Sequence, residues 1–233
     1  MHIKGWVKTS LVDYPEHIAA SLFSGGCNFR CPNCHNSDIV LRPGDFPDLS
    51  ERELWAFLES RVSLLDGVVL TGGEPTLQPD LLPFAARLRE LGYRVKLDTN
   101  GYRPDVVREM IDRSAVDYVA MDVKAPLLPV PYACAAGVPI DVDRVRRTVD
   151  LLLAGRVAYE FRTTVVPGLL AETDVAHIAR AIRGARRYYL QQFVPRDTLD
   201  PAMLQVAPYP VDRLRAMADL ARQWLDCVEL RGV

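Results

Sequence analysis

Three cysteines lie within Cys27-Asn28-Phe29-Arg30-Cys31-Pro32-Asn33-Cys34, a stretch of eight residues. A loop of this length can direct three thiolates toward one centre, and thiolates are soft ligands that suit iron–sulfur clusters and zinc. A cluster of four irons normally takes four thiolates, and structural zinc takes four ligands, so this stretch is one ligand short of either. His35 is the nearest candidate for the fourth, although a side chain next to a ligand usually points away from the same metal. A zinc-bound or disulfide-linked loop is the alternative to an iron–sulfur site.

The composition is that of a globular protein without a strong charge preference. Apolar residues make up 49% of the 233 residues, which is enough for a sizeable core and fits a single α/β barrel. The net charge of −2 favours neither nucleic acid nor an anionic membrane as a partner. Residues 1–14 lack the apolar core of a signal peptide, and no run of about 18 apolar residues is present. We therefore expect a cytoplasmic protein that does not enter a membrane.

The chain contains five cysteines, of which three are clustered. An odd, clustered set argues against a disulfide framework in a reducing compartment. Cys134 and Cys227 are isolated from the cluster and from each other, and we expect them to be buried or half-buried free thiols.

Apolar runs that alternate with amphipathic segments predict an α/β fold. Strands are predicted at 3–7, 18–23, 68–70, 95–97, 116–123, 158–166, 188–193 and 228–230. Helices are predicted at 51–62, 81–91, 104–111, 141–153, 173–182 and 211–225, with a long loop at 125–139. Strand followed by helix recurs about six times, with crossovers of the length that parallel strands require. Six units are fewer than the eight of a closed barrel. We predict a partial (β/α)6 barrel in a single domain over residues 1–233, with a doubly wound open sheet as the alternative.

Polar motifs follow three of the predicted strands. The glycines of Gly72-Gly73-Glu74 expose backbone groups that can reach a zwitterionic amino acid, although the same string also suits an ordinary turn. Asp98-Thr99-Asn100 and Asp122-Val123-Lys124 place carboxylates, a hydroxyl and an ammonium at consecutive strand ends, where barrel folds build active sites. Hard oxygen ligands can hold a small cation, and Lys124 can pair with a carboxylate. A structural ion pair between Asp98 and Lys124 is the alternative.

Together the cysteine loop and the glycine motif resemble those of the radical S-adenosylmethionine (SAM) enzymes. In that family three cysteines with spacers of three and two residues hold a 4Fe–4S cluster, and the fourth iron is open to the amino and carboxylate groups of SAM. The resemblance implies a partial barrel of the radical SAM type. It also implies that the cluster is held by Cys27, Cys31 and Cys34, and that the methionine amino group is received by Gly72, Gly73 and Glu74.

The two later motifs resemble those of the glycyl-radical-enzyme activating enzymes, such as pyruvate formate-lyase activase. That resemblance implies that Asp98, Thr99 and Asp122 help to bind a monovalent cation beside the cofactor carboxylate, and that Lys124 contacts the cofactor. Asn100 belongs to the same cofactor-binding string. Arg162 resembles a strand-end arginine near the cofactor, with a rim ion pair to Glu160 or to a helix carboxylate as the alternative.

The strings 5–15, 34–36 and 191–195 are similar to those of anaerobic ribonucleoside-triphosphate reductase activating proteins. The resemblance implies that the protein makes a glycyl radical on an anaerobic ribonucleotide reductase and takes electrons from flavodoxin or ferredoxin. Two positions depart from the family pattern. Asn33 stands where an aromatic residue near the adenine is usual, and Gln192 stands in the region of a last-strand histidine. No second cysteine cluster follows, so one cluster is expected.

Two other functions stay open at this point. One is a radical SAM enzyme that acts on a small molecule or peptide, and the other is a non-catalytic metal-binding interaction module. A group of helix arginines forms either a solvated face or a docking surface for an acidic partner. These arginines are Arg144, Arg146, Arg147 and those within 180–187.

Overall fold

The computed structural model describes residues 1–233. Its strands are β1 (Ile3–Tyr14), β2 (His17–Ser24), β3 (Gly67–Gly72), β4 (Arg94–Thr99), β5 (Tyr118–Asp122), β6 (Ala158–Val165), β7 (Tyr188–Gln192) and β8 (Val228–Arg231). Its α-helices are α1 (Ser37–Leu41), α2 (Glu51–Arg61), α3 (Leu81–Glu90), α4 (Pro104–Asp112), α5 (Pro129–Ala136), α6 (Val142–Leu153), α7 (Glu172–Ala181) and α8 (Val211–Ala221). Short 3₁₀ turns lie at Pro43–Asp45, Pro75–Leu77 and Pro201–Gln205. All the predicted strands and helices are present, but β1 extends seven residues beyond its predicted end at Val7, α8 ends four residues before its predicted end, and α1 was not predicted.

The eight strands neighbour one another in chain order in one unclosed sheet. β1 and β2 form an antiparallel hairpin, whereas β2 to β4 and β6 to β8 pair in parallel. The predicted α/β class with an open barrel order is therefore confirmed. A doubly wound sheet is excluded, because its strand order reverses at a switch point instead of following the chain.

The chain divides into two compact units. The first consists of Met1–Asn28, Asp38–Thr99 and Asp105–Val119. Its core is made by the apolar runs of β3 and β4 with the inward faces of α2 and α3, where Leu58, Leu70 and Leu88 are fully buried. Consecutive buried residues, as at 67–70 in β3 and 95–97 in β4, are typical of a parallel sheet covered by helices.

The second unit consists of Phe29–Ser37, Asn100–Pro104 and Ala120–Val233. Its core joins β6 and β7 to the apolar faces of α6 and α7, and Phe161, Leu190 and Val145 are fully buried. Glu160 is buried among them and binds both of its oxygens to Arg231, at 2.7 and 2.9 Å. A buried carboxylate requires such a partner, and this pair ties β8 to β6.

The loop predicted at 125–139 is wrong for Pro129–Ala136, which form helix α5. Pro129 stands in the first turn, where the missing N–H has no helical partner to lose. Tyr132 is fully buried, which gives the helix a packing face, and Gly137 ends it in the left-handed region at φ 68°. A high proline content thus marks the beginning of a helix here instead of a loop.

Predicted helix ends and exposures are mostly confirmed. The Ser50 and Asp141 side chains accept hydrogen bonds from the backbone N–H groups of Glu53 and Asp143, as helix N-caps do. Cys227 is half-buried, as expected, but Cys134 is exposed, so its predicted burial is wrong because α5 turns that side chain outward. No helix has the length and apolar character needed to cross a membrane.

Candidate functional site

The glycine motif after β3 packs against the backbone that leads into the cysteine loop. The N–H of Gly73 donates to the carbonyl of Ser24, and the N–H of Glu74 donates to the carbonyl of Gly26, both at 2.8 Å. A Cβ at Gly73 would lie 1.9 Å from the Gly26 oxygen, and a Cβ at Gly72 would lie 2.4 Å from the Ser24 nitrogen. Both positions therefore require glycine, because any side chain would push the two backbones apart.

Gly73→Ala is expected to lower the free energy of unfolding by about 3 kcal/mol, since overpacking against fixed backbone has no flexible neighbour to relieve it. Thermal unfolding of the purified protein measures this, and iron content after reconstitution reports the cysteine loop. Gly44→Ala is the matched control, because a Cβ there meets nothing within 4 Å. Equal stability of the two variants would contradict the packing role of Gly73.

The two N–H groups of this turn are already used within the protein. Polar contact with a ligand at this point therefore falls to carbonyl oxygens, which accept hydrogen bonds from an ammonium group and not from a carboxylate. The turn is thus suited to an amino group, and the assignment of Gly72 and Gly73 to the amino group of a ligand stays a prediction.

The Glu74 side chain is 1% exposed and is held by two threonines. Its Oε1 accepts from the backbone N–H and hydroxyl of Thr76, at 3.1 and 2.5 Å, and from the hydroxyl of Thr99 at 2.8 Å. Glu74 thereby joins the turn after β3 to the end of β4. This geometry assigns its carboxylate to positioning both segments.

The Asp98 carboxylate at the end of β4 is held by neighbours in the first unit. Its Oδ1 lies 2.7 Å from the Lys96 Nζ, and its Oδ2 accepts from the Thr71 hydroxyl at 3.3 Å. Lys96 is 2% exposed and also donates to the backbone carbonyl of Asp13 at 2.6 Å. Sequence reasoning missed Lys96. The signal that could have found it is a lysine between the apolar residues Val95 and Leu97. It stands two residues before Asp98 and hence on the same face of the strand.

Asn100 and Gly101 shape the turn that follows β4. The Asn100 side chain is 5% exposed, and its oxygen accepts from the backbone N–H of Tyr102 at 3.0 Å. Gly101 has φ 73°, and a Cβ there would lie 2.2 Å from the Met121 methyl carbon. The Thr148 hydroxyl donates to the Gly101 carbonyl at 2.6 Å. These contacts hold the loop backbone in one conformation.

Cys31 and Cys34 belong to the second unit, whereas Cys27 belongs to the first. Burial raises the pKa of the Cys31 thiol above its ordinary value. The Lys124 ammonium opposes this shift and Cys34 adds to it. Burial also raises the pKa of Cys34, opposed by the backbone N–H of Asn36 and by Lys124. Buried thiols of this kind ionise when a metal compensates the charge.

The cysteine loop is anchored by backbone contacts within the second unit. The N–H of Arg30 donates to the carbonyl of Ala136 at 2.7 Å, and the Arg30 carbonyl lies where a Cβ on Gly137 would fall. The Nε2 of His35 lies 2.9 Å from the carbonyl oxygen of Val194, and this side chain is exposed. That ring nitrogen is therefore a donor to backbone, which leaves Nδ1 as the one ring nitrogen of His35 that is open to another partner.

Asp122, Lys124 and Arg162 form a charged cluster in the second unit. The Asp122 Oδ1 accepts from the Arg162 Nε at 2.8 Å, and its Oδ2 lies 3.4 Å from the Lys124 Nζ. Burial acts to raise the pKa of the Asp122 carboxyl, but the charges of Arg162 and Lys124 outweigh it, and the pKa lies below its ordinary value. One carboxylate orients two cations, so the cluster carries a net positive charge that suits a carboxylate ligand.

A small cavity of about 30 Å³ opens beside this cluster. Its lining contains both charged and apolar residues. The lining residues are Asn33, Asp122, Val123, Lys124, Ala135, Arg162, Thr164, Val166, Leu169 and Leu170. Asn33, the position that departs from the usual aromatic residue, thus lies beside the charged cluster in the same unit.

The donor chemistry fits an iron–sulfur cluster. Three thiols stand in one short loop, and Cys31 is 8% exposed, which gives a set of soft donors that is partly shielded from water. No three Cys, His, Asp or Glu side chains are gathered closely enough to hold a metal ion as they stand. The assignment of Cys27, Cys31 and Cys34 to one cluster therefore remains a prediction, which rests on the loop spacing and on the chemistry of the donors.

The sequence model of the Radical SAM superfamily matches residues 21–182, which include the cysteine loop, the glycine motif and the charged cluster. The chain belongs to the radical SAM superfamily. It is a radical SAM oxidoreductase, and its cofactors are a 4Fe–4S cluster and SAM.

Two relatives of this radical SAM enzyme are activating enzymes by name. A Methanocaldococcus jannaschii protein with the provisional name glycyl-radical enzyme activating enzyme is 32% identical over 234 residues, which cover 99% of this chain and 96% of that protein. The pyruvate formate-lyase-activating enzyme of Clostridium pasteurianum is 29% identical over 199 residues, which cover 81% of this chain and 79% of the enzyme.

Solved structures confirm the fold. Streptococcus suis SuiB bound to SAM has a TM-score of 0.67 at 14% identity, and the match covers 89% of this chain and 48% of SuiB. An archaeal TYW1 has a TM-score of 0.59 at 15% identity, covering 89% of this chain and 72% of that protein. This chain thus spans about half of SuiB, and these similarities at low identity concern the fold alone.

Proposed function

We propose that this radical SAM enzyme is a glycyl-radical-enzyme activating enzyme whose partner is an anaerobic ribonucleotide reductase. The observation that carries the activating role is the similarity, over nearly the whole of both chains, to the M. jannaschii relative. The choice of partner rests on the strings at 5–15, 34–36 and 191–195, which resemble those of reductase activating proteins. The electron donor in this proposal is a flavodoxin or ferredoxin.

In the first unit, the proposal assigns Cys27 to the cluster and the carbonyl groups of the Gly72-Gly73 turn to the amino group of SAM. The engaged N–H groups of Gly73 and Glu74 support this choice. Glu74 holds the turn, and the end of β4 supplies Asp98 and Thr99 as polar neighbours of the cofactor. Buried, hydrogen-bonded side chains keep these contacts in place before the cofactor binds.

In the second unit, Cys31 and Cys34 complete the thiolate set, and Lys124 with Arg162 receives the carboxylate of SAM. Asp122 orients both cations through its two oxygens. Asn100 shapes the loop after β4 and supports the same site. When bound, the 4Fe–4S cluster would supply one electron to the sulfonium of SAM. The products would be methionine and, once a hydrogen atom has been taken from glycine, 5′-deoxyadenosine.

The test combines the reconstituted enzyme, dithionite, SAM and a purified anaerobic ribonucleotide reductase whose glycines carry deuterium. Electron paramagnetic resonance is expected to show a glycyl radical on the reductase. Mass spectrometry is expected to show deuterium in the 5′-deoxyadenosine that is released.

The control is a reductase in which the radical-bearing glycine is replaced by alanine. Release of 5′-deoxyadenosine that carries no deuterium, with no radical on the reductase, would reject this partner. It would favour a small molecule or peptide as the substrate. A protein that carries the full cluster and forms no 5′-deoxyadenosine with the reductase present would reject the proposed activating role.

A further inference from the structure

Lys96 places an ammonium group at the carboxylate for which the sequence predicted a small cation. Its Nζ lies 2.7 Å from Asp98 Oδ1 and 2.6 Å from the carbonyl oxygen of Asp13. A carboxylate oxygen and a backbone carbonyl are the kind of oxygen ligands that a hard cation takes. The side chain of Lys96 is 2% exposed and that of Asp98 is 16% exposed, so both groups are largely removed from water.

The surroundings hold the ammonium in this position. The Asp13 carboxylate accepts from the Ser21 hydroxyl at 2.6 Å, which fixes the segment whose carbonyl Lys96 binds. The Thr71 hydroxyl holds the other oxygen of Asp98 at 3.3 Å. A metal ion at Asp98 would therefore lie beside a fixed positive charge in a poorly hydrated place, where like charges repel strongly.

We propose that the Lys96 ammonium takes the place of a monovalent metal ion at Asp98, so that SAM binding by this enzyme is independent of sodium and potassium. The inference rests on the proposed function in one respect, since it concerns the cation requirement of the same cofactor site. Lys96 is a positioning residue in this proposal, because it acts on the site through Asp98.

The experiment measures SAM binding to the anaerobically reconstituted holoenzyme by equilibrium dialysis. Potassium chloride is compared with tetramethylammonium chloride at equal ionic strength, because the latter cation is too large for an oxygen site of this kind. The wild-type dissociation constants in the two salts are expected to agree within about twofold. In Lys96→Met, a metal ion is the only positive charge left to balance Asp98 in place of the ammonium. SAM is therefore expected to bind this variant at least about tenfold more tightly in potassium chloride than in tetramethylammonium chloride.

Thermal unfolding in the same two salts, without SAM, gives a readout that does not depend on the cofactor. Lys96→Met is expected to unfold about 5–10 °C below the wild type in tetramethylammonium, because Asp98 loses its partner. Potassium is expected to restore part of the lost melting temperature in the variant. The melting temperature of the wild type is expected to be the same in potassium and in tetramethylammonium.

Lys4→Gln is the matched control. The Lys4 Nζ also lies near one carboxylate and one carbonyl, 2.7 Å from Asp48 Oδ1 and 2.8 Å from the oxygen of Phe46, and its side chain is 9% exposed. Asp48, however, is 43% exposed and remains hydrated. The ratio of the SAM dissociation constants in the two salts is therefore expected to stay at the wild-type value in this variant.

A wild-type enzyme that binds SAM at least about tenfold more tightly in potassium would overturn the inference, and so would a Lys96→Met variant as indifferent to the salt as the wild type. If the holoenzyme bound no SAM in either salt, the proposed function would fail, and the unfolding data would decide about Lys96 alone. If potassium restored part of the melting temperature of Lys96→Met, the role of Lys96 would be supported. An equal loss of melting temperature in both salts would reject it. Should Lys96→Met not fold, the wild-type comparison remains a full test.

Discussion

Cys31→Ala is expected to reduce 5′-deoxyadenosine formation from SAM to the background rate and to leave the protein without a stable 4Fe–4S cluster. Loss of an outer-sphere partner of a metal ligand already costs about 10–100-fold in affinity or activity, so loss of one of only three thiolates costs more. Cys31 is also the buried member of the set, at 8% exposure, and alanine brings no ligand atom in place of its thiolate. Iron analysis, the visible spectrum and product quantification under dithionite measure the effect.

Cys134→Ala is the matched control, because Cys134 is a free, exposed thiol outside the loop. Its iron content and product yield are expected to equal those of the wild type. A Cys31→Ala protein that retains four irons and forms product would show that other ligands hold the cluster. The proposed thiolate set would then be wrong, even though the chain belongs to the radical SAM superfamily.

Glu74→Ala is expected to lower the free energy of unfolding by about 3–5 kcal/mol, because hydrogen bonds to a buried charge are strong and their donors would be left unpaired. The carboxylate accepts three hydrogen bonds, from the Thr76 N–H, the Thr76 hydroxyl and the Thr99 hydroxyl. For a chain of this size the melting temperature is expected to fall by roughly 10 °C. Glu74→Gln keeps one oxygen acceptor and is expected to lose less.

A double-mutant cycle with Thr99→Val isolates the bond between the turn after β3 and the end of β4. Glu74→Ala and Thr99→Val are expected to be non-additive by about 1–2 kcal/mol, since each removes the same hydrogen bond. Glu59→Ala serves as the control for loss of a carboxylate, because Glu59 is 54% exposed and its pairing with Arg87 at 3.7 Å is a weak surface interaction. Additive effects of the two substitutions would show that Glu74 does not position Thr99.

Most elements of the fold are predictable from the sequence because they depend on local patterns. The apolar run at 68–70 and the strand-like segment at 95–97 are strands in the structure, and Ser50 and Asp141 begin helices through their own side chains. One exception is α5. The richness of 125–139 in Pro and Ala predicts a loop, but Pro129 fits the first helical turn and the burial of Tyr132 stabilises the helix. Packing of that kind involves distant residues, which a local pattern does not contain.

The sequence by itself determined the family and its cofactors. The spacing of Cys27, Cys31 and Cys34 and the polar strings at the strand ends indicated the family that the comparisons confirm. These signals can be read because each one lies within a few consecutive residues, and its residue types limit the ligands that it can bind.

Only the tertiary structure decided which partner each side chain has. Glu74 binds Thr99 across 25 positions of the chain, and Lys96 binds the carbonyl of Asp13 across 83. Gly73 lies against Gly26 because Ser24 and Gly72 are paired in the parallel register of β2 and β3. Strand register and helix packing set these contacts, and both arise from burial of the whole core instead of from any one segment. For this reason the sequence predicts Asp98 as a site for a cation, whereas the structure shows that an ammonium from the same strand already lies there.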